Sequence, residues 1–238
     1  MDFSTKTIRE IALEMPQTIR VFEDFKIDYC CGGRRPFAEA CENAGVDPNA
    51  LSDKLATALS GNQDDRPENL TASELIDYII AKHHVFTVDE IGRLTALMYK
   101  VCDRHGEQHK ELFQLREIFE EMADDMLLHM RKEEGMLFPY IKRLEGAAEN
   151  NSVPMMPPFG TVRYPIQMMM QEHDTAAEQF REMRKVTASY TLPPEACPSF
   201  KGLYVGLQDL EKDLHQHVHL ENNVLFPCAE GLEKRVFE

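Results

Sequence analysis

Two stretches decide how this chain folds: His129-Met-Arg-Lys-Glu133-Glu-Gly-Met-Leu-Phe-Pro139 and His217-Val-His-Leu-Glu221-Asn-Asn-Val-Leu-Phe-Pro227. Each reads His-x-x-x-Glu, followed at the same offset by Leu-Phe-Pro. On an α-helix, positions i and i+4 share a face, roughly 6 Å apart along the axis. Each copy therefore aims one imidazole and one carboxylate in nearly the same direction. Two such copies facing each other make a metal site.

Outward from these stretches, the apolar pattern alternates in steps of three and four. Upstream of His129 lie Leu112, Leu115, Phe119, Met122 and Met126; beyond Glu133 the same rule selects Met136 and Tyr140. Upstream of His217 lie Phe200, Leu203, Leu207, Leu210 and Leu214; beyond Glu221 it selects Val224 and Cys228. Two further seams run Ile80, His84, Thr87, Ile91, Leu94, Met98, Val101, His105 and Ile166, Met169, His173, Ala176, Phe180, Met183. Thr71-Ala-Ser-Glu74 fits a capping box at the start of the first, Gly106 is placed to end it, and Pro165 suits the opening turn of the third. Loops fall at 146–160 and around Pro193, Pro194 and Pro198. Four long helices with such seams predict an antiparallel four-helix bundle. The bundle is duplicated: His84 precedes His129 by almost the interval that separates His173 from His217.

Seam positions normally hide apolar side chains, and a lone carboxylate there carries a desolvation cost of several kcal/mol unless it is paired or bound to metal. For one seam histidine, a hydrogen-bonded core residue is the ordinary reading. Four seam histidines and two seam glutamates at matching heights point instead to a metal. Imidazole and carboxylate without thiolate suit iron, manganese or zinc. Four histidines and two glutamates are too many for one ion and divide into two ions, each with two histidines, bridged by the glutamates. Positions remain open for water, an oxo bridge or a diatomic molecule. His105 lies about 30 Å from His84 along a continuous helix and is read as a structural residue at a helix end. His83, His109, His215 and His219 lie off the seams and are expected to be exposed.

Residues 1–60 read as four short helices. Asp28-Tyr29-Cys30-Cys31-Gly32-Gly33 forms a tight turn, Pro36 opens the third helix, which ends near Gly45, and Asp47-Pro48 caps the fourth. Residues 61–70 are polar and aperiodic, a linker. The expected division is 1–60, a small helical domain that docks on the larger one; 61–70, the linker; and 71–238, the bundle. The net charge of −15 argues against nucleic acid or an anionic membrane as partner. The N-terminus lacks an apolar leader and no run is long enough to cross a bilayer, so the expected compartment is the cytoplasm. There the six cysteines are expected to be free thiols.

Region 71–230 resembles a hemerythrin-like domain. Residues 1–60, with Cys30-Cys31-Gly32-Gly33, resemble the ScdA-type N-terminal domain of the Repair of Iron Centres family (YtfE, ScdA and DnrN type). The resemblance implies an all-α, non-haem di-iron protein that restores iron–sulfur clusters damaged by nitrosative or oxidative stress. It places two oxo-bridged iron ions on His84, His129, Glu133, His173, His217 and Glu221. Damaged iron–sulfur proteins are the implied partners, with nitric oxide or dioxygen as small ligands and a homodimer as one possible assembly. Cys30 and Cys31 would take part in iron transfer or thiol chemistry. Alternatives are nitric oxide reduction at the di-iron centre, or a dioxygen or nitric oxide carrier or sensor.

Overall fold

The computed structural model describes residues 3–15, 18–29, 32–58 and 67–237. Cys30, Cys31 and most of the expected linker lie outside the described residues. Four short helices come first: α1 (Ile8–Glu14), α2 (Ile19–Asp24), α3 (Phe37–Ala44) and α4 (Pro48–Ala58). Thr7 and Glu10 form a reciprocal cap on α1, the Thr7 N–H donating to the Glu10 carboxylate at 2.7 Å. Gly45 ends α3 in the left-handed region, φ +66°. Gly33 is required by close approach: a Cβ there would lie 2.4 Å from the Tyr29 carbonyl oxygen. Ile8, Ile11, Phe22, Tyr29, Phe37, Leu51 and Leu55 bury one another as a separate small core.

Four long helices follow a short 3₁₀ turn (Pro67–Asn69). Three of them are interrupted by a π turn. Helix α5 comprises Ala72–Ile79, the π turn Ile80–His84 and Val85–His105; α6 comprises Glu111–Lys132, the π turn Glu133–Leu137 and Phe138–Glu149. Helix α7 (Arg163–Val186) is uninterrupted, and α8 comprises Pro198–Leu220, the π turn Glu221–Leu225 and Phe226–Phe237. Thr71 and Glu74 form the expected capping box on α5. The Glu145 carboxylate adds to it, accepting from the Ala72 and Ser73 N–H groups at 2.7 and 2.9 Å.

Neighbouring long helices run antiparallel. The start of α5 meets the end of α6 through Glu145, the end of α5 meets the start of α8 through His105 and Cys197 (3.2 Å), and the end of α8 meets the start of α7 through Glu233 and the Val162 N–H (2.8 Å). The described residues hold no sheet, only one bridge between Thr7 and Pro36. Among the described residues no helix is long and apolar enough to cross a membrane. Cys41, Cys102, Cys197 and Cys228 are free thiols.

Two apolar clusters fill the bundle. One runs from Ile91 to Val218 and contains Phe119, Met126 and Leu214; the other contains Ile79, Leu137, Met169 and Leu225. The π turns lie at the junction, and each shifts the register by one residue. The unbroken seam of α7 is buried throughout. In α6, however, Leu137 is buried and Met136 exposed; in α8, Leu225 and Ala229 are buried while Cys228 is exposed; in α5, Ile79 rather than Ile80 is buried. A constant helical period misplaces these positions because a turn closed by an i→i+5 bond holds one extra residue. Gly146 lies within α6, which runs to Glu149, rather than in the loop after it.

The off-seam histidines also depart from expectation. His83 and His219 are fully buried, and His109 and His215 are half-buried. The π turn of α5 turns His83 inward together with His84. The short helices cover the other face of α8: the Tyr29 ring lies 5.3 Å from His219 and 6.3 Å from His215, and the Arg9 guanidinium donates to the Asn223 carbonyl at 3.4 Å. Gln216 donates to Glu23 at 3.1 Å across the same contact. His109 is held at the head of α6 by Glu111 and Glu195, each at 3.0 Å.

Candidate metal centre

The layer between the two apolar clusters is polar. His84 enters it from α5, His129 and Glu133 from α6, His173 from α7, and His217 and Glu221 from α8. All six are buried, none more than 2% exposed. The i, i+4 spacing aligns each His–Glu pair on one face, and the π turns begin at Glu133 and Glu221 themselves. There the Phe138 N–H bonds back to the Glu133 carbonyl and the Phe226 N–H to that of Glu221.

The six side chains form two groups sharing both carboxylates: His84, His217, Glu133 and Glu221, and His129, His173, Glu133 and Glu221. Glu133 presents Oε2 to His84 at 3.5 Å and Oε1 to His129 at 3.3 Å. Glu221 presents Oε1 to His217 at 2.8 Å and Oε2 to His173 at 3.2 Å. The paired imidazoles face each other through Nε2, His84 to His217 at 3.1 Å and His129 to His173 at 3.0 Å. Donors roughly 2.1 Å from a six-coordinate ion stand about 3.0 Å apart when adjacent, so these separations fit a cation within each group. Neither oxygen of Glu133, nor Oε2 of Glu221, receives a hydrogen bond from the described residues. Buried carboxylate oxygens left in that state are costly, and a cation would satisfy them.

Outer partners hold three of the four imidazoles. Nδ1–H donates to Glu134 Oε1 from His84 (2.7 Å), to Glu172 Oε2 from His129 (2.9 Å) and to Asn222 Oδ1 from His173 (3.0 Å). Such bonds fix the tautomer that leaves Nε2 free to ligate. Lys132 secures Glu172 at 2.5 Å. These three acceptors were not singled out in the sequence. Their signal is adjacency: each is next in sequence to a site residue and serves the imidazole of the preceding helix. His217 Nδ1 has no partner among the described residues. Beside it His83 lies stacked, 5.8 Å between centroids and 11° between planes, with its own Nδ1–H given to Asp213 at 3.0 Å.

Charge in this layer is shared between opposite signs. Burial works against a charged His84, but the negative charge of the nearby Glu133 and Glu221 carboxylates prevails and raises it to about 10. Burial likewise opposes a charged His129, and the Glu133 carboxylate prevails, raising it to about 9. Glu133 and Glu221 are held below the usual carboxylate range despite their burial, by His129 and His217 respectively among other imidazoles. Burial pushes His217 down. Between α6 and α7 a cavity of about 160 Å³ reaches this layer, with His129, Lys132, Glu172, Asp125 and Gln179 in its lining. His105 stands apart, packed on Phe200 and Cys197 at the far end of α5.

Fold and layer together define a helical-bundle protein of the hemerythrin HHE cation-binding class, and the profile of the hemerythrin HHE cation binding domain matches residues 75–229. The ScdA_N profile, described as a domain of unknown function, matches residues 4–59. The chain is 31% identical over 222 residues to the iron-sulfur cluster repair protein ScdA of Staphylococcus epidermidis, covering 92% of this chain and 95% of that one. It is 31% identical over 229 residues to the iron-sulfur cluster repair protein YtfE of Citrobacter koseri, and 30% over 232 residues to that of Yersinia pseudotuberculosis, covering 96% of this chain and 98% of each relative. The chain belongs to the ScdA/YtfE family of iron-sulfur cluster repair proteins.

Proposed function

We propose that His84, His129, Glu133, His173, His217 and Glu221 hold two iron ions, and that the protein repairs iron–sulfur clusters damaged by nitrosative or oxidative stress by supplying iron from that site. The observation that carries the reading is the division of each buried carboxylate, one oxygen to each imidazole pair. Imidazole and carboxylate donors suit several divalent ions, and the repair activity named for the relatives favours iron among them. Bound there, iron supplies an exchangeable ion and coordination positions open to a small ligand. Glu133 and Glu221 hold the two positions together, and the apolar clusters above and below keep bulk water out. His84 and His129 take up a proton at Nε2 when an ion departs and lose it when one enters, so the two buried carboxylates keep positive charge beside them. Residues 1–60, carrying Cys30 and Cys31, meet the damaged client.

Reduced, iron-loaded protein mixed anaerobically with a nitric-oxide-damaged iron–sulfur protein should restore its cluster as a free ferrous salt does. Failure where the free salt succeeds overturns iron supply. On aerobic protein, two irons per chain with charge-transfer bands of an oxo-bridged pair are expected. The cavity reaching His129 favours a second reading, in which nitric oxide or dioxygen enters and nitric oxide is reduced. Steady nitrous oxide formation with a supplied reductant, lost in Glu133→Ala, would establish that activity.

A further inference from the structure

We propose that the two cation positions are unequal, and that the position between His84 and His217 is the weaker one and gives up its ion first. This deepens the iron-supply reading and rests on its two-ion site. It follows from what stands behind each imidazole. At the other position both rings are anchored: His129 by Glu172, itself held by Lys132, and His173 by the buried Asn222. At the weaker position only His84 is anchored, by the exposed Glu134. His217 is fully buried and its Nδ1 has no partner among the described residues. To ligate through Nε2, its neutral ring must carry the proton on Nδ1, where nothing accepts it. The loss of an outer partner to a ligating histidine costs about 10–100-fold in metal affinity.

The gap has an identifiable occupant. Around the bundle, α6 serves the imidazole of α5, α7 that of α6, and α8 that of α7, each through a residue adjacent to a site residue. The corresponding neighbour of His84 on α5 is His83. Instead of an acceptor facing Nδ1 of His217, this position supplies a ring stacked nearly parallel to it, already bonded to Asp213. A stacked ring cannot accept an in-plane N–H. His83 is therefore a positioning residue that sets the inequality of the two positions.

The full chain, loaded anaerobically with two equivalents of ferrous iron, is titrated with chelators of graded strength and analysed for iron. The first equivalent should leave at a chelator strength at least about 10-fold below the second. Anomalous scattering at the iron edge from crystals of the half-emptied protein should place the remaining ion between His129 and His173. Asn222→Ala should draw the two removal steps together, and His83→Glu, which offers an acceptor beside His217, should strengthen the weaker position alone. Simultaneous loss of both ions, or retention between His84 and His217, overturns the proposal, and the native protein suffices for that outcome if a variant does not fold. Ordered release without cluster repair would defeat iron supply and leave this inference standing. Repair with simultaneous release would do the reverse, and protein that holds no iron would defeat both.

Discussion

Adding a divalent cation to the cation-free protein near neutral pH is expected to release two protons per chain. His84, raised to about 10, and His129, raised to about 9, both carry a proton at Nε2 at pH 7.5. Their Nε2 atoms are the ones that face the opposed imidazoles, so no cation can bind there until those protons leave. Glu133 and Glu221 are already ionised, because neighbouring imidazoles hold them below the usual range in spite of burial. Burial keeps His217 down, and it contributes no proton. The sign follows directly: raising the pH weakens the competing proton. The product of the two cation affinities should rise about 10-fold per pH unit for each proton, about 100-fold for the pair. The rise should slacken as pH passes 9 and end near 10. Calorimetric titration with manganous or anaerobic ferrous ion, in two buffers of different ionisation enthalpy at one pH, counts the protons. A binding enthalpy indifferent to the buffer would refute the reasoning, because it would mean that both imidazoles are already neutral and the carboxylates do not govern them.

Three further outcomes are expected. Leu137→Ala should cost about 2–5 kcal/mol in denaturant unfolding, and Met136→Ala about 0.5 kcal/mol or less, because the π turn buries the first and leaves the second exposed; the reverse order would mean that α6 runs through without the extra residue. Tyr29→Ala removes a ring packed on Phe22 and His219 and should destabilise residues 3–58 by roughly 3–5 kcal/mol. Hydrogen exchange should then speed up there and not in α6; equal acceleration in both would show one cooperative unit. Glu133→Ala removes a carboxylate shared by both groups, so metal analysis should show both ions weakened rather than one.

Where the helical period is constant, the sequence suffices to place side chains. Every seam position proposed for α7 is buried, and so are those of α8 from Phe200 to Glu221. The six residues of the polar layer were legible because each departs from an otherwise apolar row, and the structure brings them together. What was lost lay within or just beyond the π turns: Ile80 in α5, Met136 in α6 and Cys228 in α8. In α6 and α8 a mark for the extra residue was in plain sight. Pro139 and Pro227 have no N–H to give the carbonyl four residues back, and in a regular helix their rings would crowd it. A widened turn just before Leu-Phe-Pro relieves both problems. No proline follows the π turn of α5, and nothing in Ile80-Ala-Lys-His-His84 announced that His83 would turn inward beside His84. The burial of His215 and His219 was illegible for another reason: the cover over α8 comes from residues nearly two hundred positions earlier, which no local period reports.

The polar layer is explained poorly as a device for stability. The same helices show what a stabilising core looks like a turn away, where Met126, Leu214, Leu137 and Leu225 pack without polar atoms. Replacing such residues by four imidazoles and two carboxylates incurs desolvation that ion pairing alone often fails to recover. Here it is not recovered by hydrogen bonds either, since both oxygens of Glu133, one of Glu221 and Nδ1 of His217 go without. The outer partners point the same way. Glu134, Glu172 and Asn222 secure the far side of three rings while leaving the near side to face other electron pairs. A fold selected only to persist would have paired those inner atoms with donors. Keeping the lone pairs of two rings about 3.0 Å apart, with ionised carboxylates beside them, makes sense when a positive charge belongs between them. In the cation-free protein the protons on His84 and His129 supply part of that charge, and the fold tolerates the layer for that reason. The ease with which protons and cations replace each other there is what suits the layer to holding an ion and then releasing it.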